Sequence, residues 1–131
     1  MTPEDVARVV ETAPLVHEDT AMVTRLYQLL FQRHPELRPM FPADMSVQVH
    51  RFTTEIEALA LAMPDLREVE ARASALGARH GQYGVRPTHF PAIRDALLDV
   101  LAERLGDRFT AEHRLAWSRA YNLLAEIMMD G

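Results

Sequence analysis

Apolar residues recur at three- and four-residue steps along almost the whole chain, and this spacing is the strongest constraint on the fold. One segment illustrates it with five residues: Val23, Leu26, Tyr27, Leu30 and Phe31. Residues at these steps share one face of a helix. Alternating polar and apolar residues, the pattern typical of half-buried strands, are nearly absent from the sequence. The spacing therefore predicts an all-α chain.

Prolines, glycines and capping residues divide this pattern into six long helices. Thr2, Pro3 and Asp5 are typical of a capped helix start, and Gly106 is typical of a helix end. Between the second and third helices, the proline-rich stretch HPELRPMFPADMS allows only a short helical turn and a bend. The predicted bounds are about 3–14, 19–34, 45–63, 65–80 and 87–106, with a last helix capped by Thr110.

Composition limits the classes of function. The length of 131 residues fits one domain, residues 1–131, and the absence of cysteine excludes disulfides, thiolate metal sites and cysteine nucleophiles. A net charge of −5 and scattered arginines argue against general affinity for nucleic acid or anionic membranes. The start of the chain is acidic rather than signal-like, and no apolar run could span a bilayer. We expect a soluble, cytoplasmic protein.

The apolar stripe of the fourth helix ends in a histidine, His80, which is the first candidate for chemistry. A lone histidine on such a face is most often a core residue that bonds a neighbouring carbonyl. The alternative is a neutral imidazole that ligates haem iron in an apolar slot, with Leu76 one turn away as an apolar neighbour. The other five histidines fit ordinary roles at helix ends or on other helix faces: His17, His34, His50, His89 and His113. Of these, His89 is expected to be exposed.

Other segments carry the residues that a haem site would need opposite His80. Gln48 and Phe52 lie one turn apart on one face of the third helix. Tyr27 places a hydroxyl within the apolar stripe of the second helix, and Phe41 follows the proline-rich corner.

Together these residues resemble the globin family, and within it the bacterial single-domain globins and the haem domain of flavohaemoglobins. Three stretches in order carry the resemblance: LYQLLFQRHPELRPMF, MSVQVHRF and LGARHGQYGVRPTHFP. The resemblance implies a globin fold with haem b between the third and fourth long helices. It matches His80 to the proximal iron ligand, and Tyr27 and Gln48 to the distal pair that hydrogen-bonds a gas ligand. The matched haem-contacting positions are Phe41, Arg51, Phe52, Leu76, Tyr83, Val85 and Phe90.

The resemblance also implies a function: reversible, high-affinity binding of O2, with NO and CO as further ligands, in the class of oxygen-binding and oxygen-transport proteins. NO detoxification by dioxygenation would need electrons from a separate reductase. The alternatives are a haem-based gas sensor or interaction module, and a haem-free regulatory domain in which His80 is a core residue. We expect a monomer or weak homodimer.

Two features depart from the flavohaemoglobin pattern. Phe90 stands where that pattern has a tyrosine that hydrogen-bonds in a network with the proximal histidine, and the matching glutamate would lie beyond Gly131. Without them His80 would push less electron density to the iron, which favours gas binding over dioxygenase chemistry. Arg51 or Arg79 could pair with a haem propionate, or either could be a solvated arginine.

Overall fold

The computed structural model describes residues 1–82 and 89–130; the side chains of residues 78–82 and 130 lie outside that description. Within it the chain forms six α-helices and three short 3-10 segments and no strand, as the spacing predicts. The α-helices are α1 Pro3–Thr12, α2 Thr20–Arg33, α3 Ser46–Ala62, α4 Leu66–Gln82, α5 His89–Leu105 and α6 Ala111–Asp130. The 3-10 segments are Ala13–Val16, Pro35–Met40 and Gly106–Arg108.

The helix starts and ends follow from the capping residues. Thr2 and Asp5 form a reciprocal box, in which each side chain accepts the other's backbone N–H at 3.1 Å. Gly106 ends α5 with a φ of +56°, a left-handed conformation that glycine adopts without strain. The predicted bound at Pro14 is wrong, because α1 ends at Thr12 and a 3-10 segment follows. Pro14 has no N–H with which to continue the α-helical ladder.

The packing of α6 against α1 and α4, and of α2 against α5, builds the core. Trp117 on α6 is almost fully buried, and its indole N–H donates to the hydroxyl of Thr12 at 2.7 Å. Arg119, two residues after Trp117, donates to the buried carboxylate of Asp5 at 3.2 Å. These contacts fix α6 against α1.

The apolar stripe of α3 is buried at one end only. Leu59 and Met63 near its end are 4% and 6% exposed, whereas Gln48, Phe52 and Ile56 nearer its start remain partly exposed. This open half of α3 faces Tyr27, the polar residue in the buried stripe of α2. The candidate site therefore lies where the two helices and the proline-rich corner between them meet. Among the described residues, no helix has the length and apolar character needed to cross a membrane.

Candidate functional site

Tyr27 lies at the centre of an aromatic cluster at the junction of α2, α3 and the proline-rich corner. It belongs to the buried stripe of α2 and is only 5% exposed. The rings of Phe41 and Phe52 meet it edge-on, with centroids 5.5 and 5.9 Å away. Phe31, one helical turn later on α2, lies 5.9 Å from it in a tilted arrangement. Edge-to-face contacts of this kind stabilise aromatic side chains beyond their buried area, so the phenol ring is firmly held.

The hydroxyl of Tyr27 is paired with Gln48. The side-chain amide of Gln48, in the first turn of α3, donates to the phenol oxygen at 3.0 Å. Because the phenol oxygen accepts this bond, its own proton is not used in it, and the described residues include no hydrogen bond from that proton. The pair therefore presents an O–H donor in an otherwise apolar setting.

Burial raises the pKa of Tyr27 to about 12, and the hydrogen bond from Gln48 opposes that rise only in part. The phenol is therefore neutral near pH 7 and acts as a hydrogen-bond donor. A phenolate at this position would need a cation close enough to offset the cost of burying its charge.

An arginine in the proline-rich corner holds the loop that carries Phe41. We call residues 41–45 the corner loop. Arg38 donates three hydrogen bonds to consecutive carbonyls of that loop, at 3.2 Å to Phe41, 3.0 Å to Pro42 and 3.1 Å to Ala43. Its guanidinium carbon also lies 5.2 Å from the ring centroid of Phe31.

Sequence reasoning selected neither Phe31 nor Arg38 for the site. The four-residue step from Tyr27 to Phe31 could have indicated an aromatic pair on one helix face. Arg38 gave no such signal, because its role depends on the direction of three backbone carbonyls, which the sequence pattern does not specify.

The remaining selected residues fall into two groups. Leu76 on α4 is half-buried, Phe90 on α5 is buried, and Arg51 on α3 is exposed. His80 lies near the end of α4, but its side chain is outside the described part of the structure, as is that of Arg79, and Tyr83 and Val85 fall outside it entirely. The structure thus brings together Tyr27, Gln48, Phe41 and Phe52, and leaves the proximal side as a prediction.

The expectation for His89 is wrong. This residue is half-buried rather than exposed, because it opens α5 directly beside Phe90, which packs into the interior.

The described residues fit a haem. Phe41, Phe52 and Leu76 pack against the core, yet each keeps part of its apolar surface exposed. A flat apolar macrocycle would remove that surface from water, which is favourable in proportion to the area covered. The Tyr27–Gln48 pair adds a hydrogen-bond donor beside these apolar groups. A donor in an apolar setting suits a small polar ligand.

Comparison with known proteins supports this assignment. The globin family model matches residues 24–128. An uncharacterized globin-like protein of Aquifex aeolicus is 30% identical over 131 residues, which cover 98% of this chain and 93% of that protein. A flavohemoprotein of Rhizobium meliloti is 32% identical over 121 residues, which cover 89% of this chain. The chain spans only 30% of the length of that flavohemoprotein.

Solved structures agree with the sequence relatives. An engineered carbene transferase that is a candidate nitric oxide dioxygenase of Rhodothermus marinus superposes with a TM-score of 0.89 at 26% identity, covering 99% of this chain and 92% of that one. A bacterial globin from Campylobacter jejuni has the same fold, with a TM-score of 0.85 at 20% identity over 98% of this chain and 94% of its own. The family model covers most of the sequence and the predicted resemblance is confirmed: this chain belongs to the globin family.

Proposed function

We propose that this chain is a haem globin that binds O2 reversibly and with high affinity, and that also takes NO and CO. The observation that carries the proposal is the hydrogen bond of 3.0 Å from the Gln48 amide to the Tyr27 phenol oxygen, which leaves the phenol proton free to donate. When bound, haem b would supply an iron that takes a diatomic gas as a ligand. His80 would hold that iron, and Phe41, Phe52 and Leu76 would contact the macrocycle.

Tyr27 and Gln48 give the pocket its selectivity. A ligand that carries partial negative charge, as O2 does, accepts a strong bond from the phenol O–H, whereas CO gains little from it. In a dry pocket a bond of this kind is worth about 1.5–3 kcal/mol, or roughly ten- to a hundred-fold in the rate of ligand release. The surrounding aromatic rings exclude water that would compete for the same proton. Slow release of O2 suits scavenging or chemistry on O2 better than bulk delivery.

NO detoxification by dioxygenation is the second function we propose, since relatives include flavohemoproteins and a candidate nitric oxide dioxygenase. Electrons would then come from a separate reductase. Phe90 is buried on α5 and has no hydroxyl, so it cannot donate a hydrogen bond toward the proximal side. This favours gas binding over fast turnover, and it keeps a gas-sensing role as the alternative.

The first experiment is an absorption spectrum of the purified protein in the ferric state, after reduction, and after addition of CO. A strong Soret band that shifts with CO supports the proposal. His80→Ala is expected to lose haem, and His50→Ala, a matched change at an exposed position of α3, is expected to keep it. A chain that takes up no haemin would instead be the haem-free regulatory domain.

The donor role is tested by the release of O2 in stopped flow. Tyr27→Phe is expected to release O2 roughly ten- to a hundred-fold faster, with little change for CO. Gln48→Leu is expected to have a smaller effect, and Gln28→Leu, which changes an exposed amide of α2, none. An unchanged rate in Tyr27→Phe would contradict the assigned role of the phenol. For the dioxygenase function, the contradicting result is NO consumption with added reductase that is no faster than that of free haem.

A further inference from the structure

We propose that Arg38 is a positioning residue for the distal site: it fixes the corner loop so that Phe41 holds the Tyr27 hydroxyl in its donating position. The inference rests on the proposed function and names a residue outside the set matched by resemblance.

Apart from Arg38, the corner loop is held at its ends, where the side chains of Phe41 and Met45 pack against the core. Pro42, Ala43 and Asp44 are exposed, so burial contributes little to the conformation of the loop. The loop lies between the 3-10 segment that ends at Met40 and the start of α3 at Ser46, and the carbonyls of Phe41, Pro42 and Ala43 are outside both helical ladders. Three of those carbonyls accept from Arg38 instead, at 3.0 to 3.2 Å. Side-chain bonds to backbone of this kind fix a loop that regular structure does not reach.

Asp44 holds the other end of the loop. Its carboxylate accepts from the backbone N–H of Ser46 at 2.9 Å and from the Ser46 hydroxyl at 2.7 Å. This local turn fixes how α3 begins, but it does not contact Phe41. At the Phe41 end of the loop, the side-chain hydrogen bonds therefore come from Arg38.

Three aromatic rings transmit the position of the loop to the phenol. Phe31, Phe41 and Tyr27 form a triangle whose sides, between ring centroids, are 5.2, 5.5 and 5.9 Å. Arg38 contacts two corners of that triangle, through its cation over the Phe31 ring and its bond to the Phe41 carbonyl. The third corner is Tyr27. A shift of Phe41 would leave one face of the phenol unsupported and allow its hydroxyl to turn away from the ligand.

The chemistry of this contact requires arginine. A guanidinium presents several N–H donors in a fixed plane, so one group can bond three carbonyls while its face lies on an aromatic ring. A lysine ammonium has no such plane and would replace only part of the arrangement. In the described structure the hydrogen bonds that Arg38 donates all go to carbonyls of the loop.

The test compares Arg38→Gln, Arg38→Lys and the control Arg33→Gln in the haem-loaded protein. Arg33 lies at the end of α2 and bonds Asp99 at 2.7 Å, away from the corner loop. In stopped flow, Arg38→Gln is expected to release O2 about three- to ten-fold faster, which corresponds to partial loss of one hydrogen bond. CO release is expected to change less than about two-fold, since CO depends little on the phenol donor. Arg38→Lys should recover part of the O2 effect, and Arg33→Gln should show none.

A second readout uses the haem-free protein. Hydrogen exchange of the backbone amide of Phe41, which donates to the Arg38 carbonyl at 3.1 Å, is expected to be faster in Arg38→Gln than in Arg33→Gln. This measures the hold on the loop without any ligand.

Three results would overturn the proposal. Equal O2 release rates in Arg38→Gln and Arg33→Gln would show that the phenol is positioned without Arg38. Equal acceleration of O2 and CO release would indicate general loosening of the pocket. Unchanged amide exchange would show that Arg38 does not hold the loop. Failure of the proposed function is distinct from all three, because it appears as a wild-type protein that takes up no haemin.

Discussion

Replacing Gly77 with alanine tests how closely α4 and α6 approach each other. A Cβ added at Gly77 would lie 2.7 Å from the Cα of Met128 and 2.8 Å from its carbonyl carbon, and closer still to its carbonyl oxygen. Favourable contacts between carbon atoms lie at about 3.5–4.0 Å. All three atoms belong to the backbone of α6, so no side-chain rotation can relieve the overlap. The two helices must move apart.

The expected cost follows from two opposing effects. Forcing an extra methyl group into a packed interface costs about 1–3 kcal/mol. Alanine in a helix is better than glycine by about 1 kcal/mol, which offsets part of that cost. The net free energy of unfolding should fall by up to about 2 kcal/mol. For a domain of this size, that lowers the Tm by up to roughly 8 °C.

Thermal unfolding followed by circular dichroism at 222 nm measures this change. Ser74→Ala is the control, because Ser74 lies on the exposed face of the same helix and gains helix propensity without a new contact. We expect the Tm of Ser74→Ala to equal or slightly exceed that of the wild type. If Gly77→Ala melts at the same temperature as Ser74→Ala or above it, the two helices do not approach as closely as the structure shows.

Two pH-dependent predictions concern ion pairs between helices. Arg104 donates a hydrogen bond to Asp19 at 2.8 Å, which holds the pKa of Asp19 below its usual 3.8. The pair therefore stabilises the fold above pH 3.8, and this stabilisation is lost as the pH falls through the lowered pKa of Asp19. The Tm deficit of Arg104→Gln should therefore be larger at about pH 7 than at about pH 3, and an equal deficit at both would contradict the pairing. The hydrogen bond between His17 and Glu57, at 2.8 Å, raises the pKa of His17 above 6.5. The stabilisation from this pair is therefore present below pH 6.5 and is lost as the pH rises through the raised pKa of His17. His17→Gln should lower the Tm at about pH 5.5 and have little effect at about pH 9; a deficit that grows with pH would refute the assignment.

Helix positions could be predicted from the sequence because their ends depend on local chemistry. Asp65 accepts the backbone N–H of Arg67 at 3.1 Å and Thr110 accepts that of His113 at 3.3 Å, both as their positions before an apolar run indicate. Side-chain capping involves residues two or three apart, so a short stretch of sequence contains the whole interaction. The end of α1, which depends on the backbone preference of Pro14, was predicted two residues too late.

The candidate site was predictable in its members but not in its contacts. The stripes on α2 and α3 indicated that Tyr27 and Gln48 face inward, and the resemblance paired them. The donor direction between two side chains 21 residues apart depends on how the helices cross, which periodicity does not encode. Arg38 was not predicted for the same reason, since its partners are backbone carbonyls whose direction is set by the fold of the corner loop.

The contact between α1 and α6 has a consequence for how the protein is made. The Trp117 indole and the Thr12 hydroxyl that it bonds are 105 residues apart in the chain. At a synthesis rate of about 5–20 residues per second, roughly 5–20 s separate the translation of one partner from that of the other. Throughout that interval Val9 of α1 and Ala13 of the following 3-10 segment have no α6 to cover them. The nascent chain therefore exposes an amphipathic segment until α6 has been made, and chaperones have that interval in which to bind it.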